Sequence, residues 1–346
     1  MSRNRFLRLL PWLVALLLVA WTVRTVDWTE TWAALRQLAA WEIGVLIVAN
    51  ALVLLAIAGR WWLLLAALGH RLPFARLFGF RLAAFGLSYF TPGPHVGGEP
   101  LQVLLAERDG VGRPDALAAV ALDKALEFAV NFTFLLVGLL LVVRWRIVPG
   151  GAGVQAAGLA AVLLAVPLLY LLAAGSGRSP FGRTFSLLGG APLLSRSGNW
   201  RVLMTRLAET SAAGESQIAA GFRRSPLTLL AAVIVSVVGW VLMIAEYWLM
   251  VAFLGAQLTL PQLVTTLTAA RISILLLLPA GLGALEASQT VAFSAVGLSA
   301  SLGLAVSLLI RARDTLVAAA GLWWGTRQLR AKAPDPEATG AQSPPP

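Results

Sequence analysis

The chain contains no cysteine and only two histidines, His70 and His95. Without thiols there are no disulfides, no thiolate metal sites and no cysteine nucleophile. Two histidines are too few for a histidine-rich metal centre, so neither a metal nor another cofactor is expected. Charge is scarce too: 12% of the 346 residues are Asp, Glu, Lys or Arg, whereas 58% are hydrophobic. A soluble domain carries about 25% charged residues, so a soluble fold of this length is excluded. No P-loop, dinucleotide fingerprint or Ser–His–Asp set is present, and His95 reads as a turn residue. The chain is therefore not expected to be an enzyme.

What the sequence does have is long apolar runs. A spanning helix needs about 20 mostly apolar residues. Residues 6–23, 43–68, 114–143, 154–174, 226–254 and 300–325 meet that need. The stretches 74–91 and 261–279 are also apolar, but each ends in Pro and Gly. No run alternates with the period of a barrel strand. The first run follows three arginines, as a secretory signal would. It ends at Trp21 and Arg24 without a small-residue cleavage site, so it reads as a retained anchor. The thirteen tryptophans, Trp28, Trp41, Trp145 and Trp324 among them, lie mostly near run ends and read as interfacial anchors.

Net charge is +11. In this setting it reflects basic cytoplasmic loops and anionic lipid headgroups rather than nucleic acid. Seventeen of the 27 Lys and Arg fall on one side: the N-terminal Arg3, Arg5 and Arg8, the 176–225 connection, the C-terminal tail, and Arg71, Arg76, Arg108 and Arg113. Four fall on the other: Arg24, Arg36, Arg144 and Arg146. The asymmetry puts both termini in the cytoplasm of a multi-pass protein of the cell membrane. It also forces residues 74–105 to enter and leave on one side, around the helix-breaking Pro92, Gly97 and Gly98. The same logic makes 261–297 a hairpin from the other side, broken at Pro279, Gly281 and Gly283. Irregular backbone at membrane depth survives only inside protein or beside a watery cavity.

These readings give an all-α polytopic membrane protein with about 8 membrane segments, six full spans plus two re-entrant broken-helix hairpins. One transmembrane domain covers 1–333, with a cytoplasmic loop at 176–225. Within that loop, 195–222 reads either as an amphipathic surface helix or as a plain solvated loop. Residues 334–346, rich in Pro, Ala and Gly, read as a disordered tail.

A shift of 187 residues aligns the two breaks. It carries Pro92 onto Pro279, Glu99 onto Glu286, Gly110 onto Gly297, Lys124 onto Arg311, Glu127 onto Asp314 and Gly138 onto Gly325. Charges inside apolar runs are rare, so three matched charge classes at one offset mark a repeat, about 41–143 and 226–326. The deduced topology inverts one half relative to the other, as in many secondary transporters.

Charged groups at the bilayer centre cost about 2.5–3.5 kcal/mol each on insertion scales and are kept when paired or functional. Glu99, Asp123, Lys124, Glu127, Arg271, Glu286, Arg311 and Asp314 are thus the candidate substrate-binding or gating residues. Lys124 and Glu127, like Arg311 and Asp314, stand at i and i+3 and can share a helix face. Glu99 and Glu286 can cap returning half-helices, or pair with Lys124 and Arg311 to neutralise buried charge. Arg60 and Glu246 are further charges in apolar runs. The cations suit a phosphate headgroup.

The segment Pro92-Gly-Pro-His-Val-Gly-Gly-Glu99, then Asp123-Lys124, then Leu278-Pro-Ala-Gly-Leu-Gly-Ala-Leu-Glu286 and Arg311, resembles the lysylphosphatidylglycerol synthase transmembrane, or flippase-like, family. The resemblance covers roughly residues 8–328. It implies a flippase-like module; in fused relatives such a module moves an aminoacylated phospholipid between leaflets beside a cytosolic transferase. Lys124 stands where the family favours Arg, and Gln102 where Arg is common, which weakens bidentate phosphate recognition. The expected function is translocation of a phospholipid or lipid-linked anionic substrate by alternating access. Its partners are membrane lipids with an anionic or phosphate headgroup, and a separate lipid-modifying enzyme. The alternatives are a non-transporting membrane partner of such an enzyme, or an intramembrane lipid-phosphate enzyme.

Overall fold

A computed structural model describes residues 16–22, 24–91, 97–147, 151–190, 198–276 and 282–331. Its described residues contain helices and no strand. After a helical stretch at 16–22 and 24–25, the order is α1 (Trp28–Arg36), α2 (Ala40–Ala67), α3 (Phe74–Phe90), α4 (Glu99–Arg108), α5 (Arg113–Arg144) and α6 (Ala152–Gly175). Then come α7 (Pro180–Gly190), α8 (Gly198–Arg224), α9 (Pro226–Phe253), α10 (Leu260–Ile274), α11 (Ala284–Ala295) and α12 (Ala300–Ala331).

Local chemistry sets many of the boundaries. Asp27 caps α1, its Oδ1 accepting from the Thr29 and Glu30 amides at 2.8 and 3.3 Å. These two bonds, with Glu30 the larger cause, hold the Asp27 carboxyl below its ordinary range. Pro114 stands in the first turn of α5, where its missing N–H costs nothing, and Arg144 closes the last turn. Thr259 and Gln262 form a capping box at α10. Gly110 and Gly297, matched by the 187-residue shift, both leave their helices at positive φ, +90° and +79°.

Among the described residues, four helices are long and apolar enough to cross a membrane: α2, α5, α6 and α9. On α6, Leu159, Val162, Val166, Leu169 and Leu172 are exposed along one side. Apolar exposure on that scale belongs against lipid. α12 matches α5 in length but carries Arg311, Arg313 and Asp314 near its centre. The run at 6–23 lies largely outside the described residues, as do Pro92, His95, Pro279 and Gly281.

Two sets of four helices repeat in order. α2, α3, α4 and α5 have 28, 17, 10 and 32 residues; α9, α10, α11 and α12 have 28, 15, 12 and 32. The 187-residue shift carries both ends of α5 onto those of α12, Arg113 to Ala300 and Arg144 to Ala331. The packing exchanges between sets. α3 packs on α12, α10 packs on α5, and α2 packs on α9.

α5 starts where α8 docks, since a side chain on Gly214 would meet the Pro114 carbonyl at 2.9 Å. α12 starts beside α1, where Thr31 Oγ1 donates to the Ser301 carbonyl at 3.4 Å. It finishes beside the start of α3, with Trp324 and Phe80 rings 5.8 Å apart. Trp324 is thus a packing residue, as is the fully buried Trp61, whereas Trp28, Trp41 and Trp323 are exposed.

The connection between α6 and α9 is helical rather than a plain loop. α7 and α8 pack on each other and on the α5–α6 end of the bundle. Buried Glu215 on α8 joins them, accepting from the Phe181 and Gly182 amides at 2.9 and 3.2 Å. The carboxylate caps α7 from a distance in sequence that no local cap signal reveals.

Candidate functional site

Both hairpins leave a helix end at mid-bundle. α3 stops at Phe90 and α4 starts at Glu99; α10 stops at Ile274 and α11 starts at Ala284. Beside the first break, the Gly98 amide donates to Ser88 Oγ at 2.8 Å and the Gly97 amide to Glu99 Oε2 at 2.7 Å. A side chain at Gly98 would collide with the Ala84 carbonyl, so only glycine lets α4 return against α3. At the second break Gly283 has φ +77°, a left-handed conformation that suits glycine.

Between these breaks lies a cavity of about 320 Å³ lined by both helix sets. Ten ionisable groups line it: Arg60, Arg81, Lys124, Arg271, Arg311 and Arg313, with Glu99, Glu127, Glu246 and Asp314. Lys124 to Asn131 on α5 and Ile310 to Val317 on α12 contribute from the middle of their helices. Ser88, Gln102, Asn131, Trp240 and Tyr247 add polar or aromatic wall.

The sequence-matched residues meet as ion pairs at the cavity. Lys124 Nζ lies 2.9 Å from Glu99 Oε1, and Arg311 Nε lies 2.7 Å from Glu286 Oε1. Glu99 therefore serves Lys124 with one oxygen and the Gly97 amide with the other. Lys124 also reaches Glu127, three residues on, at 3.3 Å. The corresponding i+3 relation does not govern Asp314, which is engaged by its neighbour Arg313 at 2.8 Å.

Of the eight candidates, six line the cavity; Asp123 and Glu286 stand behind it as partners of lining cations. Asp123 is the most enclosed, 1% exposed, and bridges Arg60 at 2.6 Å and Arg81 at 2.7 Å. The same two guanidiniums reach Glu127 at 3.4 and 3.0 Å. Each bond is charge-assisted, and burial without such pairing would be prohibitive.

In the second set, Arg313 Nη1 lies 2.9 Å from Glu246 Oε1. First and last helices of both sets are thus joined by ion pairs of opposite polarity. The cation is on the first helix in Arg60–Asp123, and on the last helix in Glu246–Arg313.

Arg81, Gln102, Glu246 and Arg313 join the site although they are not among the candidates. Arg81 was detectable as a charge deep within the apolar stretch 74–91, whose other charge, Arg76, lies near its start. Gln102 falls on Gln289 under the same shift, and both are fully buried polar side chains. Gln289 is satisfied by Tyr247 Oη, which donates at 2.5 Å, and by the Thr266 carbonyl, to which it donates at 3.0 Å.

The halves close on each other through small residues. Side chains added at Gly138 and Gly325, another matched pair, would meet Thr268 on α10 and Ala83 on α3. Gly86 and Gly321 likewise let α3 and α12 touch backbone to backbone.

No curated protein is similar enough to the chain to count as a match. The family model described as lysylphosphatidylglycerol synthase TM region does match, over residues 8–321. A match across nearly the whole helical bundle, hairpins and charged cavity included, means that the chain belongs to the lysylphosphatidylglycerol synthase TM region family.

Proposed function

We propose that this protein translocates a lipid with an anionic or phosphate-type headgroup between leaflets by alternating access. One observation carries the reading: a charged cavity at mid-helix depth, walled by two opposed sets of four helices. Taken as inverted repeats, the two sets provide two half-gates around one central site, the arrangement used by many secondary transporters. The ion pairs Glu99–Lys124 and Glu286–Arg311 sit at equivalent places in the two hairpins and act as the gates. A headgroup phosphate competes with a carboxylate for the same guanidinium geometry, so its arrival loosens a gate pair. The membrane-lipid link of the family supports the substrate class. This is a transporter's mechanism and not an enzyme's, with the cell membrane as its site of action.

The test is reconstitution into vesicles carrying a fluorescent anionic phospholipid in both leaflets. Dithionite quenching from outside should exceed half of the signal when the protein is present. A folded protein that leaves quenching at the protein-free level overturns the reading and favours a non-transporting partner of a lipid-modifying enzyme.

A further inference from the structure

The six cations of the cavity are not equivalent. Arg60, Arg81, Lys124, Arg311 and Arg313 each lie within 3.4 Å of at least one carboxylate. Arg271 has no carboxylate within ion-pair distance among the described residues. No acid is hidden in the undescribed parts of the bundle either, since Asp335 and Glu337, the only acids outside the described residues, belong to the C-terminal tail. The two acids of its own half that line the cavity, Glu246 and Asp314, are both engaged by Arg313.

Arg271 is held by neutral groups. Its guanidinium lies over the Trp240 indole, 4.8 Å from the ring centroid, and contacts Met243 Sδ. Trp240 in turn packs on Phe134 at 4.9 Å. The Arg271 Nε is buried and has no hydrogen-bond acceptor among the described residues. An aromatic face fixes the plane of a guanidinium and leaves its edge of N–H donors unused. That edge matches two oxygens of one phosphate or carboxylate.

We propose that Arg271, set on Trp240, is the residue that docks the ligand's phosphate oxygens, while the other five cations hold the cavity's own carboxylates. The proposal rests on the reading of the cavity as a headgroup site, and it deepens that reading by assigning the anion contact to one hairpin only. Arriving phosphate meets Arg271 without first breaking an ion pair, displacing at most the weak thioether acceptor Met243 Sδ. Any other lining cation must give up a carboxylate before it can bind. Substrate therefore meets α10 first, and the paired cations engage when the gates loosen.

Equilibrium binding to the full-length protein in a non-ionic detergent tests this, with three probes: dihexanoyl phosphatidylglycerol, dihexanoylglycerol and inorganic phosphate. The expected result is saturable binding of the phosphate-bearing lipid and at least tenfold weaker binding of the glycerol lipid. Arg271→Gln should weaken the first by tenfold or more and leave the second unchanged. Binding of inorganic phosphate alone, lost in Arg271→Gln, also supports the site and names a free anion as its ligand. Equal binding by wild type and Arg271→Gln overturns the proposal, as does a wild type that binds no phosphate-bearing probe. Should Arg271→Gln not fold, Arg271→Lys decides in the same way: severalfold weaker binding is expected, and unchanged binding overturns. These readouts are independent of vesicle translocation, so an intact Arg271 site in a protein that moves no lipid would sink the transport reading alone.

Discussion

Glu286 on α11 and Arg311 on α12 meet through two parallel hydrogen bonds, Nε to Oε1 at 2.7 Å and Nη2 to Oε2 at 3.3 Å. Lys124, at the matched position in the other half, offers Glu99 a point charge instead of a fork. The two ion pairs are thus unequal, and they are expected to respond differently to substitution.

Replacing Arg311 by Met should lower the yield of folded protein, because an uncompensated buried carboxylate costs about 3–5 kcal/mol. The double change Glu286→Gln with Arg311→Met removes both charges and should restore detergent melting to near the wild-type value. Translocation by the double variant should nevertheless fall at least tenfold. A double variant that melts and transports like wild type would reduce this pair to a packing element.

Asp123 is expected to be the most sensitive charge in the bundle. It holds two guanidiniums at once, and Arg60 is itself only 4% exposed. Asp123→Asn leaves both cations to share Glu127, so a loss of about 3–5 kcal/mol is expected. Arg60→Gln should be milder, since Arg81 still neutralises Asp123. Thermal melts of the two variants in one detergent settle the order, and the reverse ranking would contradict the bridging role.

Glycine substitutions should separate contact from propensity. A methyl group at Gly321 would strike the Leu82 carbonyl, whereas one at Gly158 on α6 meets nothing within 4 Å. Gly321→Ala should destabilise by about 1–3 kcal/mol through forced separation of α3 and α12. Gly158→Ala should be neutral or stabilising by up to about 1 kcal/mol, because Ala is the better helix former. Comparable melting of the two variants would refute the close α3–α12 contact.

The absence of cysteine makes topology direct to measure. Ser216 is exposed on α8, at the end of the bundle that carries most of the basic residues. Cysteine placed there should resist an impermeant maleimide in intact cells and react once the inner face is opened. Labelling of intact cells would reverse the proposed orientation of both termini.

Much of the architecture was legible in apolar run length, because a lipid-facing helix writes its burial on every residue. The breaks were legible because Pro and Gly stand where no chain would otherwise place them in an apolar run. Lys124–Glu99 and Arg311–Glu286 were legible because matched charges at one offset are improbable by chance. Of the pair α7–α8, the second was one of the two readings of 195–222, but α7 was not legible, since its cap comes from Glu215, more than thirty residues downstream of Phe181. Nor was the fate of Asp314: spacing names Arg311 as its helical neighbour, but Arg313 takes it. Arg81 was not among the candidates: its matched position, Thr268, carries no charge, and no spacing ties it to Asp123 or Glu127.

The opposed polarity of Arg60–Asp123 and Glu246–Arg313 bears on assembly as well as on gating. Two similar sets of helices inserted one after the other risk exchanging partners. If α2 were to take α12 in place of α5, Arg60 would face Arg313. If α9 were to take α5, Glu246 would face Asp123 and Glu127. Like charges brought together in a low-dielectric interior repel strongly, so an exchange of these ion-pair partners is expected to be penalised. The sign of two buried charge pairs would thereby tell one set of helices from the other as the chain assembles.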